Sequence, residues 1–286
     1  MQVQDIIGLG KPAEILIEKF CNAVGILWEP HKIKRASRAQ AEADVESERI
    51  RALGRIETIQ TLTEFQKRGS LRRIHEDGIQ QENLEKILLG TPQFLGENAN
   101  PENLDNDWMR NFSEKAKMTS DEEMQNIWSR ILAGEGTRPG SFSKRTVNKV
   151  HELEKQDAEL FTKLCSFCIN KGNPQPLIFK HDDKIYSDMG IHFSTLKHLD
   201  SIGLISFESL AGYRFTGLSK KISIDYFGKT IFLELSKESE NELEIGKVML
   251  TSIGKEIASI CSPRLVEGFE KFIIEYWKNI GINVTT

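Results

Sequence analysis

Thr119-Ser120-Asp121-Glu122-Glu123-Met124-Gln125-Asn126-Ile127-Trp128-Ser129-Arg130-Ile131-Leu132 is the stretch whose reading decides how the middle of this chain folds. Met124, Ile127, Trp128, Ile131 and Leu132 fall at i, i+3, i+4, i+7 and i+8, which gives a helix one apolar and one polar side. Ser120 with Glu123 three residues later reads as a capping box, and the acids of the first turn suit the helix dipole. Gly134 and Gly136 are expected to stop this helix, and Arg138-Pro139-Gly140 to turn the chain. A second helix is expected from Ser141 with Phe142, Val147, Val150 and Leu153. A third is expected from Asp157 with Leu160, Phe161, Leu164, Cys165 and Cys168 on one face. Three amphipathic helices on short turns make a helical hub, and no catalytic group is evident in it.

Upstream, Pro12 stands where a helix would begin, a position at which its missing N–H costs nothing. Ala13, Leu16, Ile17, Phe20, Val24, Leu27 and Trp28 then recur at helical spacing until Pro30. Two readings stand side by side: a helix packed on its own protein or a sister subunit, and a helix lying in a membrane interface with Trp28 at headgroup depth. The candidate oligomer or membrane contact is therefore Leu16, Ile17, Phe20, Val24, Leu27 and Trp28. Residues 31–69 are rich in Ala, Lys, Arg and Glu, and only a thin stripe of Ile50, Leu53, Ile56, Ile59, Leu62 and Phe65 is apolar. So thin a stripe leaves a long helix either solvated or paired with another copy. A shorter helix follows from Ser70 to Leu89. Gly96-Glu97-Asn98-Ala99-Asn100-Pro101 is the most loop-like stretch and is expected to bound a domain.

Downstream of Ile169 the texture changes to short alternating runs. Leu177–Phe179 reads as a strand, and residues 188–203 as a helix pair in which Ser194 caps the second helix. Leu204–Phe207 and Gly212–Phe215 read as hairpin strands. Ile222, Ile224 and Tyr226 alternate, as do Ile231, Leu233 and Leu235, around a turn at Gly228. Leu243–Ile245 adds a strand, and helices carrying Ile253 and Ile257 and then Leu265 to Ile280 close the chain. Helix pair, hairpin and terminal helix are the order of a winged helix-turn-helix. The expected fold is mainly α, with long N-terminal amphipathic helices and a C-terminal α+β winged-helix-like domain. Its regions are 1–96 for oligomerisation or membrane association, 97–170 for the hub and 171–286 for the winged-helix-like domain.

Charge and chemistry narrow the function classes. The 286 residues carry 38 Lys and Arg against 42 Asp and Glu, and the basic excess is concentrated between Lys32 and Arg73. The C-terminal domain is close to neutral, so little counterion-release affinity for nucleic acid is available. Lys197, His198, Lys220, Lys221 and Lys229 are the candidate partner or nucleic-acid contacts, with nucleic acid the weaker of the two readings. Four scattered cysteines do not suggest a secreted disulfide framework, and a cytoplasmic setting, peripheral to the inner membrane if the first helix lies in lipid, is expected. No secretory leader is read at the N-terminus, and no apolar run is long enough for a span. Cys165 and Cys168 have redox or zinc spacing but lack a second pair, and the six histidines form no helical pair, so core packing is the reading for the thiols. No catalytic, cofactor or metal residue is assigned.

Three passages together resemble one bacterial group. They are Gly8-Leu9-Gly10-Lys11-Pro12 with its helix to Trp28, Met124 to Ala133 followed by the Phe161–Cys165 helix, and Leu250-Thr251-Ser252-Ile253-Gly254-Lys255-Glu256-Ile257. The resemblance is to the Abi-alpha-like set, encountered in prophage and defence gene neighbourhoods, and it implies a role in phage defence or abortive infection without a catalytic residue. The function expected from it is a non-enzymatic defence protein that self-assembles and senses a phage protein. The alternative is a winged-helix transcriptional regulator.

Overall fold

The computed structural model describes residues 10–26 and 63–285. The chain divides into two compact units, Met1–Val147 and Asn148–Thr286. That division falls inside the stretch 97–170 read as a single hub. The loop at 96–101 lies within the first unit, where the Gly96 N–H donates to the Thr137 hydroxyl and the Asn100 N–H to the Gly136 carbonyl. Among the described residues every strand lies at Cys168 or beyond, so the chain is mixed α/β with its strands in the C-terminal unit.

The first unit is helical. Helix α1, Lys11–Val24, starts with Pro12 in its first turn and ends at Gly25, whose φ of 76° closes it five residues before Pro30. Leu27 and Trp28 lie outside the described residues. Helix α2 runs from Glu64 to Gly90, six residues earlier than expected, because Thr63 and Gln66 form a reciprocal capping box. Helices α3, Asn106–Ala116, and α4, Glu122–Thr137, complete the core. Asp121 rather than Ser120 caps α4, accepting from the Glu123 and Met124 N–H groups. Gly134 and Gly136 do not end α4. They sit inside it because a Cβ at Gly134 would meet the Phe142 ring, and one at Gly136 would meet Leu16 and Leu95.

An aromatic cluster holds these helices together. Phe112 on α3 stacks on Trp108 at 5.2 Å and meets Phe20 and Trp128 edge-on at 5.8 and 5.2 Å. Both indole N–H groups are satisfied, Trp108 by the Phe142 carbonyl and Trp128 by the Thr119 hydroxyl. Leu16, Ile17 and Phe20 are buried in this core. The oligomer or membrane contact expected of them thus falls on side chains that α3 and α4 already cover within this unit, and Val24 is half-buried at the helix end. The C-terminal end of α2 packs here, through Asn83, Leu84, Ile87 and Leu88. Asn83 is bonded to Gln125, and the Ser129 hydroxyl donates to the Ile87 carbonyl.

Helix α5, Lys144–Glu152, contains the division between units, and α6, Lys155–Cys165, opens the C-terminal one. Strands β1, Cys168–Asn170, and β2, Pro174–Pro176, form a hairpin. Short α7, Lys184–Ser187, and α8, Phe193–Ser201, lead into β3, Ile205–Phe207. Then follow β4, Tyr213–Leu218, β5, Lys221–Tyr226, β6, Lys229–Glu234, β7, Asn241–Gly246, and β8, Val248–Leu250. Helices α9, Ser252–Ala258, and α10, Phe269–Asn279, precede β9, Asn283–Thr285. The expected hairpin of 204–207 with 212–215 does not form. Instead β3 pairs with β8 and β4 with β7, nested one inside the other, and β5–β6 is the tight hairpin at their tip. β5 and β6 join a five-stranded sheet in the order β2-β1-β5-β6-β9. Its core is aromatic: Phe269 meets Phe167, Tyr186 and Tyr226, while Phe179 stacks on Tyr276 at 3.7 Å.

Two glycines allow backbone to approach backbone in this unit. Gly254 on α9 sits against the Leu204 carbonyl, and Gly246, at φ 95°, sits against Ile178 with which it bridges.

Candidate functional site

The α7–α8–β3 corner of the C-terminal unit carries Lys197 and His198, two of the five candidate contacts. His192, not Ser194, is the residue before α8; its N–H donates to the Thr195 hydroxyl, whose own proton goes to the Gly190 and His192 carbonyls. This fixes the first turn and turns Phe193 outward, 47% exposed. Phe193 meets Phe207 edge-on at 5.6 Å, and the His181 ring lies 5.5 Å from Phe193 and 6.1 Å from Phe207. An apolar and imidazole patch therefore occupies the outer side of the corner. Sequence reasoning passed over Phe193; an aromatic at the opening of a helix whose apolar stripe is made by Leu196 and Leu199 is the signal that could have found it.

Four of the five candidate contacts are engaged by acids. Lys197 pairs with Asp200 at 3.3 Å and lies 5.4 Å from the centre of the Phe207 ring. The other oxygen of Asp200 accepts from the Phe207 N–H, so one carboxylate ties α8 to β3. His198 Nε2 lies 2.6 Å from Asp157 of α6. Lys220 pairs with Glu238 at 2.8 Å and Lys229 with Glu270 at 2.5 Å. Lys221 is exposed and has no ion pair among the described residues. Between Lys180 and Asp200 three lysines stand against four aspartates. Burial raises the Asp183 carboxyl, Lys180 opposing and Asp182 assisting. The five candidate contacts do not converge on a single cationic surface.

The thiols lie in another part of the same unit. Cys165 ends α6 and is buried, while Cys168 opens β1 rather than continuing the helix. The Thr162 hydroxyl, one turn before Cys165, contacts Cys261 Sγ at 3.6 Å. A hydrogen bond with Cys168 pushes the Cys165 thiol up, Cys261 opposes, and burial adds to the rise. A buried thiol held protonated, as Cys165 is, makes a poor nucleophile and a poor ligand, and among the described residues no group of three or more His, Cys, Asp or Glu is arranged to hold a metal ion.

A shallow groove of about 400 Å³ in the first unit is lined by Ile15, Glu18, Lys19, Asn22, Asn106 and Arg110. Its cations are tied to the frame, Lys19 to the Glu102 carbonyl and Arg110 to the Ala23 carbonyl and Asp107. Among the described residues no helix is long and apolar enough to cross a membrane.

Against known proteins, the family model described as "Protein of unknown function (DUF2806)" matches residues 67–274. The chain belongs to the DUF2806 family. The DUF2806 match begins inside α2 and ends inside α10, so it takes in both units and leaves α1 outside. No curated protein and no solved structure matches the chain. The DUF2806 match is silent on phage defence and does not show the Abi-alpha-like identity that the resemblance suggested.

Proposed function

We infer that this DUF2806 protein is a non-enzymatic anti-phage defence protein, working by self-assembly and by docking a phage protein on its C-terminal unit. In this reading α7, α8 and the β3–β8 pair form a winged-helix-like platform used for protein contact, and a cytoplasmic setting goes with it. The observation that carries it is the corner itself: Phe193 stands exposed on a helix whose Lys197 and His198 are each held by an acid. An exposed aromatic beside paired charges suits a protein interface, where aromatics are enriched and free lysine is depleted. Duplex DNA instead rewards unpaired Lys and Arg on phosphates. The resemblance to the Abi-alpha-like set supports the defence setting.

The test is a plating assay on cells expressing the full chain against a phage panel, with DNA mobility shifts run beside it. Protection that is lost in Phe193→Asp, with the thermal melt unchanged, supports the reading. A steeply salt-dependent DNA shift that weakens in Lys221→Ala, together with no protection, would overturn it in favour of a winged-helix transcriptional regulator.

A further inference from the structure

Among the described residues, helix α2 packs on its unit from Asn83 onward, and from Glu64 to Glu82 it carries no buried residue. At 1.5 Å per residue that is about 28 Å of helix without a buried side chain. Gly69 and Gly78 in its interior weaken it further, and an isolated helix of this length is marginal in water. Apolar side chains nevertheless lie open on it, Phe65 at 79% exposure and Ile79 at 43%.

The charge along α2 is split. From Glu64 to His75 four cations stand against one acid, and from Glu76 to Gly90 four acids stand against one cation. At 100° per residue, Glu64, Arg68, Leu71, His75, Ile79, Glu82 and Lys86 form one stripe. It faces away from the buried Leu84, Ile87 and Leu88. A helix that is basic at one end and acidic at the other complements itself only when reversed.

We propose that α2 pairs with α2 of a second copy of this chain, antiparallel, crossing at His75 on the two-fold axis. In that register Arg68 of each copy faces the other's Glu82, Glu64 faces Lys86, and Leu71 packs on Ile79. The contact is isologous and closes as a dimer. The proposal deepens the self-assembly part of the function inferred above and rests on it only in requiring two copies.

The experiment is light scattering on the full chain with charge swaps. The unsubstituted protein is expected at twice the monomer mass. Arg68→Glu alone and Glu82→Arg alone are each expected to raise the dimer dissociation constant about tenfold or more, since like charges then meet twice across the axis. The double substitution restores the dimer. All these side chains are exposed, so the fold is not at stake. Orientation is read by oxidative cross-linking. His75→Cys is expected to form a disulfide-linked dimer that the unsubstituted chain does not. Arg68→Cys is not, since two such residues would stand about 21 Å apart along the pair, beyond disulfide reach. A monomer at every concentration overturns both this proposal and self-assembly. A dimer indifferent to Arg68→Glu, or one cross-linked as well through Arg68→Cys, overturns the surface or its direction and leaves self-assembly standing.

Discussion

Replacing Gly254 by Ala sets two physical effects of opposite sign against each other. Gly254 lies inside α9 with ordinary helical backbone, so propensity alone would make alanine stabilising by about 1 kcal/mol. The structure argues the reverse. A Cβ there would lie 3.0 Å from the Leu204 carbonyl carbon and closer still to its oxygen. Carbon and oxygen ordinarily sit about 3.3 Å apart, so α9 and the start of β3 must separate by roughly 1 Å. That carbonyl is not free to yield. It accepts from the Thr251 N–H at 3.2 Å and the Thr251 hydroxyl at 3.1 Å, and β3 is locked to β8 through Ile205 and Leu250. Overpacking costs about 1–3 kcal/mol, and loosening the two hydrogen bonds adds about 1 kcal/mol each. Less the propensity gain, the expected destabilisation is about 2–4 kcal/mol.

Urea denaturation and calorimetry of the full chain measure this. A loss of about 3 kcal/mol lowers the melting temperature by about 6–12 °C. Gly69→Ala is the control: it also sits in a helix, with nothing within 4 Å of the added methyl, so it is expected to stabilise by about 0.5–1 kcal/mol. If Gly254→Ala melts at or above the parent, as Gly69→Ala should, the close approach of α9 to Leu204 is wrong and so is the corner built on it.

Glu135 is buried in the first unit and accepts from the Gly140 N–H at 2.7 Å and the Phe142 N–H at 2.8 Å. Hydrogen bonds to a charged group contribute about 1.5–3 kcal/mol each, so Glu135→Ala should destabilise by about 3 kcal/mol or more and Glu135→Gln by about half that. A urea midpoint shift under 1 kcal/mol for the alanine variant would be incompatible with this bonding. Three of the four tyrosines are raised above the usual value of 10. Burial is the first cause for Tyr186 and Tyr226, and for Tyr276, pushed up to about 12, burial is followed by the Glu244 charge. At pH 7 these phenols are neutral in both states. As pH rises past 10 the unfolded chain releases protons that the folded chain retains, so stability falls between pH 10 and 12. Phenolate absorbance should lag that of the denatured chain; a titration matching free tyrosine would contradict the burial.

What was legible in the sequence is what short-range pattern controls. The Met124–Leu132 stripe marked α4, and alternation around Gly228 marked β5 and β6 with their turn. Long-range pairing was not legible. β3 finds its partner in β8, beyond four intervening strands, so Leu204–Phe207 looked ready to pair with the next strand along. The hidden half of the candidate site has the same origin. Lys197 shows its acid three residues on, but His198 and Lys229 meet carboxylates 41 residues away, and Lys220 one 18 away. A lysine count therefore overstated the open charge. Gly134 and Gly136 misled in another way, because glycine is as useful for letting Phe142 and Leu16 approach a helix as for ending one.

Self-pairing through α2 and docking at Phe193 have consequences for each other that neither has alone. The first surface belongs to one compact unit and the second to the other, so an isologous pair carries two Phe193 corners however the units are arranged. Two linked corners meet a repeated or dimeric partner with the second contact made intramolecular, a gain of about 10²–10⁴ in avidity without any new interaction. Arg68→Glu should then reduce protection in the plating assay even though it leaves the Phe193 corner untouched, and the double charge swap should bring protection back along with the dimer. Loss without recovery would mean that Arg68 serves some contact other than α2 with itself.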